Sequence, residues 1–397
     1  MFSARGDIFT VPAKHGDIRK ITQTESNREF SVDWSPDGKY ISYLSEQTGD
    51  YELYIQKYNS SEKPVQLTKN TKSWINGYVW SHDSKKIILT DKKNRLRMVD
   101  VESKNVSQID KGIYSGIGGY RWSPDNKWVV YTKNSENGLG SIWLYSLDNK
   151  KTYQLTSDQT SESSPVFAAD GKTLSFVSRR DFSFQNRNFM AKLYIGTLLT
   201  GMENPFSYRN DEEKIAEKTD KESKEKKADT GKTDKKEQLS VKIDIEGFEN
   251  RVVTYPLPTG GYFALTPVKG GLLYMRSGTL YKFEMKNREE KKIMEKVRNY
   301  FSTPDGKNFI YQSGRNYGIA SLSPNQKPNT GKLNLSNMKI KIDPKKEWSQ
   351  IYTDAWRIMR DWFYDPNMHG VDWKGMHDKY LPLVEHVAHR TDRKSVV

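Results

Sequence analysis

Short apolar segments alternate with polar turns along most of the chain, and the same arrangement returns several times. In the clearest copy, the turn 35–38 (Ser-Pro-Asp-Gly) follows Trp34 and precedes the alternating segment 40–44. Related copies lie at 79–89, 120–131, 165–176, 264–274 and 302–311. The residues at the proline position of the first four copies are 46, 42 and 45 residues apart. Such a period is the signature of a repeat fold.

Each copy has the makeup of one propeller blade. Proline presets φ in the turn, aspartate caps its own backbone, and glycine accepts a positive φ. The segment 40–44, a polar hairpin, the segment 51–55 and an outer segment ending in Gln-Leu-Thr at 66–68 complete four strands. Four strands in about 40–45 residues make one blade of a β-propeller. We therefore predict a mainly β protein with a propeller of six to seven four-stranded blades over residues 1–342.

Two details of this propeller follow from the repeats. The N-terminal unit, residues 1–22, is only partial, so we expect a ring that is open at its closure. Trp34, Trp80 and Trp122 end strands at equivalent positions, and we expect their rings to be buried between blades.

A charged insertion interrupts the repeats. The fourth and fifth proline positions are 98 residues apart, and residues 211–237 between them hold 9 lysines and 10 acidic residues. A segment of this composition cannot bury enough apolar area to offset its ordering entropy. We predict a disordered insertion at about 203–239 that projects from one blade as a solvated excursion. A partner-binding arm is the alternative.

The pattern becomes helical after residue 342. Apolar residues recur on one face of a helix at Ile351, Ala355, Ile358, Met359, Trp362 and Phe363. Asp365-Pro366 ends this helix, and Asp372 can cap a second one. Residues 343–397 are therefore predicted to be the truncated start of a different, helical domain. Such a start should expose Trp356, Trp362, Phe363 and Leu383 to water.

Charge and composition limit the possible functions. The net charge of +14, from 64 Lys+Arg against 50 Asp+Glu, would suit nucleic acid. However, the excess is spread as single lysines without a basic helix or an RNA-binding motif, so we expect no nucleic-acid binding. No apolar run approaches the roughly 20 residues of a membrane span. The absence of cysteine excludes disulfides, Cys-ligated zinc and a thiol nucleophile.

The residues themselves indicate no catalytic site. Four of the six histidines lie in the tail, where His386 and His389 are three residues apart and Asp365 is near His369. A metal site is the sharper hypothesis, but the glutamate of an HExxH motif is missing, so packing histidines are the default. Nucleophile elbows, phosphate loops and dinucleotide fingerprints are also missing. We therefore predict no catalytic, cofactor-binding or metal-binding residue and no cofactor.

Three segments carry a resemblance to a known family. Segment 354–373 (DAWRIMRDWFYDPNMHGVDW) is the most specific, and segments 2–16 and 243–253 support it. Together they resemble the second propeller and the first core helices of the tricorn proteases. This resemblance covers essentially the whole chain but only the middle of such a protein.

The resemblance implies a self-compartmentalising, cytoplasmic serine peptidase that forms homo-oligomers. In that family the propeller is a filter through which peptides reach the active site. The catalytic histidine follows a serine at the end of the first helical domain, and the nucleophile lies in a later domain. The tail histidines instead follow Met368, Met376, Glu385 and Ala388. No catalytic residue is therefore carried over, and this chain alone is expected to be inactive.

The chain is expected to be a piece of a longer protein. Strand residues begin at Phe2 without a secretory signal, and helical periodicity is still running at 383–387. A secreted or periplasmic parent therefore stays open. The alternative function is a non-enzymatic propeller module that recognises a protein or glycan. A Ser-His pair and a PDZ pattern beyond residue 397 would favour the protease.

Overall fold

Seven antiparallel sheets follow one another along the chain. The computed structural model describes residues 1–24, 27–69, 73–183, 188–208 and 239–389. Within them, each sheet is built from consecutive strands, as in a propeller. The predicted mainly β propeller with a short helical segment after it is therefore confirmed, with seven blades.

The strands of the seven blades have the following bounds. Blade 1 contains β1 (Phe2–Ala4), β2 (Asp7–Thr10) and β3 (Arg19–Lys20). Blade 2 contains β4 (Glu29–Trp34), β5 (Tyr40–Ser45), β6 (Glu52–Lys57) and β7 (Val65–Gln66). Blade 3 contains β8 (Ile75–Trp80), β9 (Lys86–Asp91), β10 (Arg95–Asp100) and β11 (Val106–Lys111). Blade 4 contains β12 (Gly118–Trp122), β13 (Trp128–Asn134), β14 (Gly140–Ser146) and β15 (Lys151–Gln154).

The later blades differ in strand length. Blade 5 contains β16 (Glu162–Phe167), β17 (Thr173–Ser183), β18 (Asn188–Thr197) and β19 (Val252–Thr254). Blade 6 contains β20 (Phe263–Val268), β21 (Gly271–Arg276), β22 (Thr279–Glu284) and β23 (Glu289–Met294). Blade 7 contains β24 (Asn299–Ser302), β25 (Asn308–Ser313) and β26 (Asn316–Ser321). The strands β17 and β18, with 11 and 10 residues, form a much longer hairpin than β5 and β6.

Blades 1 and 7 are incomplete where they meet. The side chain of Thr22 accepts a hydrogen bond from the Ile8 amide, as Thr68 does from Leu53 in blade 2. Strand β2 is therefore the third strand of its blade, and the described residues supply only the second, third and fourth strands of blade 1. The fourth strand of blade 7 is reduced to a bridge between Gly318 and Lys332. An edge-to-face contact of Phe2 with Tyr317, 4.9 Å between ring centres, joins the two blades.

The repeated turn is held by side-chain hydrogen bonds. The Ser35 hydroxyl donates to the Asp37 carboxylate at 2.7 Å, and the same carboxylate accepts from the Lys39 amide at 3.1 Å. Ser81 with Asp83 and Ser123 with Asp125 repeat this contact at 2.6 Å. These serines therefore shape turns. Blade 6 departs from the pattern, because Pro267 lies inside β20 and not in a turn.

Two of the three tryptophans are buried between blades as predicted. Trp80 and Trp122 are each 4% exposed, and their indole N–H groups donate to Ser42 and to the Val79 carbonyl of the preceding blade. The prediction is wrong for Trp34, which is only half-buried. Among the described residues, blade 1 supplies no inner strand to cover the ring, which packs against Tyr58.

Helices follow the last blade. Helix α1 (Pro344–Trp362) begins at Asp343, whose side chain accepts from the amides of Lys345 and Lys346. Helix α2 (Trp373–Tyr380) begins at Asp372, and short 3-10 segments span 368–370 and 381–386. Trp362 and Leu383 are exposed as expected. Trp356 and Phe363 are only half-buried rather than exposed, since Trp356 donates to the Trp373 carbonyl at 2.7 Å.

Most of the predicted insertion lies outside the described residues, which stop at 208 and resume at 239. On its far side, Val241 packs into the core of blades 4 and 5, and its amide donates to Asp125 at 2.8 Å. The chain is therefore anchored on the propeller directly after the insertion.

Candidate functional site

The first strands of blades 2 to 7 form the wall of the central channel. Strand β16 contacts both β12 and β20 of the neighbouring blades, as innermost strands do. Their exposed residues include hydroxyl and amide groups, two phenylalanines, one cation and one anion. These residues are Ser31, Asp33, Asn76, Arg121, Ser163, Phe263, Asn299 and Phe301.

This wall combines apolar surface with hydrogen-bonding groups. Phe301 is 71% exposed and Phe263 is 45% exposed, on the neighbouring blades 7 and 6. Asn76 on blade 3, Ser163 on blade 5 and Asn299 on blade 7 offer uncharged hydrogen-bonding groups. The wall therefore offers both apolar contacts and uncharged hydrogen bonds to an occupant of the channel.

A bulge recurs in the channel wall. The register of the inner strand shifts in blades 2 to 6, and Ser31, Gly119, Ser164 and Ala264 have φ values between 53° and 60° at this point. Three of these four residues are not glycine, and each such left-handed residue costs of order 1 kcal/mol or more. Bulges re-aim the side chains around them. The bulges thus set which residues face the channel.

Tyrosines of the following blade hold two of the bulges. Tyr78 donates its hydroxyl to the Ser31 carbonyl, and Tyr300 donates to the Ala264 carbonyl at 2.6 Å. Burial raises the pKa of both phenols, so they remain donors at neutral pH. In blade 3, a side chain at Gly77 would lie 3.0 Å from the Tyr120 hydroxyl, so glycine leaves room for that ring.

Arg121 is the cation of the wall. Its guanidinium donates to the Tyr120 carbonyl at 2.8 Å. Solvent reaches the side chain, and partial desolvation lowers the pKa of Arg121. It also interacts electrostatically with Tyr300, which belongs to blade 7, three blades further round the ring.

Helix α1 docks on one end of the propeller through a buried ion pair. The Arg357 guanidinium lies 2.7 Å from the Glu46 carboxylate, and their side chains are 9% and 3% exposed. Glu46 also accepts from the Arg28 amide at 3.0 Å and from Gln350 at 2.9 Å. Glu46 follows β5, so the helix lies on the face of the propeller opposite the Ser-Pro-Asp-Gly turns.

A second set of contacts surrounds this ion pair. Arg360 lies 2.7 Å from Asp50, in the same hairpin as Glu46. Trp362 packs edge-to-face on Trp74, and the Lys92 ammonium lies 4.7 Å from the centre of the Trp362 ring. Arg5 of blade 1 pairs with Glu347 of the helix. Blade 1, blade 2 (Glu46 and Asp50) and blade 3 (Trp74 and Lys92) therefore all contact the helix.

Asp354 has the most perturbed carboxyl of this junction. Burial first, and then the neighbouring Glu46 carboxylate, raise its pKa to about 7, against the opposing effects of Arg357 and Arg28. When two carboxyl groups lie next to one buried arginine, the state in which they share one proton is favoured over the state in which both are ionised.

The tail histidines are not gathered into a site. His369 lies 3.4 Å from Asp365 and contacts Tyr364, which ties down the turn after α1. His386 and His389 are exposed. In the part of the chain that the structure describes, no three His, Asp or Glu side chains form a group that could hold a metal ion.

Two comparisons decide the family. The model of the tricorn protease second β-propeller domain matches residues 1–323, and that of the tricorn protease C1 domain matches residues 344–397. The chain belongs to the tricorn protease family. The resemblance seen in the sequence is thus confirmed.

Curated relatives of the tricorn family support this assignment. A putative tricorn-like protease C-terminal subunit of Sulfurisphaera tokodaii is 25% identical over 99% of this chain and 45% of its own length. Tricorn protease homolog 1 of Streptomyces coelicolor is 24% identical over 98% of this chain and 39% of its own length. The chain therefore spans less than half of the length of these relatives.

A solved structure shows the same fold. The crystal structure of the tricorn protease aligns with 100% of this chain, and the alignment takes in 39% of the tricorn protease chain, with a TM-score of 0.79 and 16% identity.

Among the described helices, none has the length and apolar character needed to cross a membrane.

Proposed function

We propose that this chain is the substrate-gating propeller of a tricorn-like serine protease, together with the start of its first core domain. Residues 1–342 form the propeller in this proposal, and residues 343–397 begin the core domain. Peptides pass through the channel, and the catalytic groups lie in parts of the protein that follow this chain. We further propose a cytoplasmic homo-oligomer, by analogy with the family.

The channel wall is the observation that carries this proposal. Exposed phenylalanines are costly on a channel wall unless they meet a ligand, and Phe301 leaves most of its ring in solvent. Around them lie hydroxyl and amide groups rather than a field of one charge. Such a wall suits neutral polypeptide better than nucleic acid. Helix α1 on one face of the propeller supports delivery towards a core domain.

The absence of cysteine from this chain offers a direct test in a full-length protease that carries it, with any cysteine outside the chain replaced by serine. Ser163→Cys places a thiol in the channel wall, whereas Ser61→Cys places one in an exposed loop on the outer side of blade 2. After labelling with a bulky polyethylene-glycol maleimide, we expect peptide hydrolysis to fall about tenfold only for the channel thiol.

Unchanged hydrolysis after complete labelling of Ser163→Cys would contradict gating. Equal losses for both thiols would mean that the label damages the protein without closing the channel. Tight binding of a folded protein or glycan by the chain, without peptide turnover in the full-length protein, would favour the binding module.

A further inference from the structure

Some arginines of the propeller pair with acids. Arg95 lies against Asp91, Arg180 lies 2.7 Å from Glu162, and Arg276 lies 2.7 Å from Glu290. Arg121 belongs to the propeller arginines without such a pair. Among the described residues, no carboxylate forms an ion pair with Arg121, and its one hydrogen bond goes to the Tyr120 carbonyl.

Arg121 lies on the channel wall, where an unpaired positive charge can act on a ligand in the channel. It occupies the same register position of β12 that Phe301 occupies in β24, facing the channel from the opposite side. A cation on the wall of a channel bounded by protein attracts anions more strongly than one on an open surface.

We propose that Arg121 selects peptides that carry a carboxylate, which it binds as they enter the channel. The planar guanidinium fork matches a carboxylate in two parallel hydrogen bonds. The aromatic rings of Phe301 and Phe263 lie on the facing blades, where they can contact the apolar part of the same peptide. This inference rests on the proposed passage of peptides.

The carboxylate can come from an acidic side chain or from the peptide C-terminus. Three fluorescent hexapeptides of otherwise identical sequence separate these sources. One is uncharged and amidated at its C-terminus, one has a free C-terminal carboxylate, and one is amidated but contains a single glutamate. Their binding to the full chain is measured by fluorescence anisotropy at low salt.

We expect one or both carboxylate peptides to bind about 10- to 100-fold more tightly than the uncharged peptide. Arg121→Gln should abolish this preference, and Arg121→Lys should retain part of it. The matched control is Arg315→Gln, since Arg315 lies in the exposed turn between β25 and β26. This control should keep the full preference, and thermal unfolding should be unchanged in all variants.

Equal binding of all three peptides to the wild-type chain would overturn selection by Arg121 while leaving peptide passage intact. A preference that survives Arg121→Gln would also overturn it. If no peptide binds, passage and selection fail together.

Discussion

Replacing Arg357 with methionine should release helix α1 from the propeller. The variant keeps the length and apolar stem of the side chain but leaves the Glu46 carboxylate buried without its cation. Removing one member of a buried ion pair costs about 3–5 kcal/mol. Glu46 keeps its bonds from the Arg28 amide and Gln350, so we expect the lower part of this range. About 3 kcal/mol corresponds to a roughly 100-fold larger open population.

Hydrogen exchange measures this opening directly. At pH 8, amides of residues 352–357 should exchange about 100-fold faster in Arg357→Met than in the wild-type chain. The amides of β13, on blade 4, serve as the internal control and should keep their rates. The double variant Glu46→Gln/Arg357→Met should recover most of the loss, because it buries no unmatched charge.

A change of less than threefold in residues 352–357 would refute the docking argument. So would a double variant as labile as Arg357→Met, since the loss would then come from packing and not from the exposed charge of Glu46. Faster exchange in β13 would show that the substitution unfolds the propeller itself.

Three further predictions concern stability. The pKa of Asp354 is raised to about 7 in the folded chain, so docking of α1 should weaken as pH rises from about 4 to 7. The loss should be at most about 1.4 kcal/mol per pH unit, and the docking free energy should become constant above pH 7. Hydrogen exchange of α1 in Asp354→Asn should lack this pH dependence. Trp122→Ala should lower the free energy of unfolding by about 3–5 kcal/mol in urea titrations, because the ring lies between blades 3 and 4. Tyr208→Ala, whose ring is 93% exposed, should cost less than about 0.5 kcal/mol, and equal losses would contradict the blade packing. Replacing residues 211–237 with a short Gly-Ser linker should leave the melting temperature within about 2 °C, whereas a large drop would mean that this segment docks on the propeller.

Local signals allowed the blades to be predicted from the sequence. The Ser-Pro-Asp-Gly turn fixes its own geometry through contacts two to five residues apart, such as those of Ser35 with Asp37 and Tyr40. The register of each hairpin then follows from the alternation of apolar residues. The repeats predicted either six or seven blades, because the first unit is partial and its sequence does not show whether it forms a blade.

Contacts between distant segments could not be predicted in the same way. Glu46 and Arg357 are 311 residues apart, and nothing in either local segment indicates their pairing. The channel bulges were missed because Ser31, Ser164 and Ala264 carry no glycine signal. The partial exposure of Trp34 depends on blade 1, to which the described residues contribute three strands. Each of these features arises from the closure of the ring or from the docking of the tail.

The channel itself is tested most directly by locating a bound peptide. A photoreactive benzoylphenylalanine at Asn76 lies on the inner strand of blade 3, whereas one at Thr152 lies on the exposed outer strand β15 of blade 4. With a fluorescent peptide, we predict cross-links from position 76 that an excess of unlabelled peptide removes, and none from position 152. Cross-linking from position 152 alone, or equally from both positions, would contradict passage of peptides through the propeller.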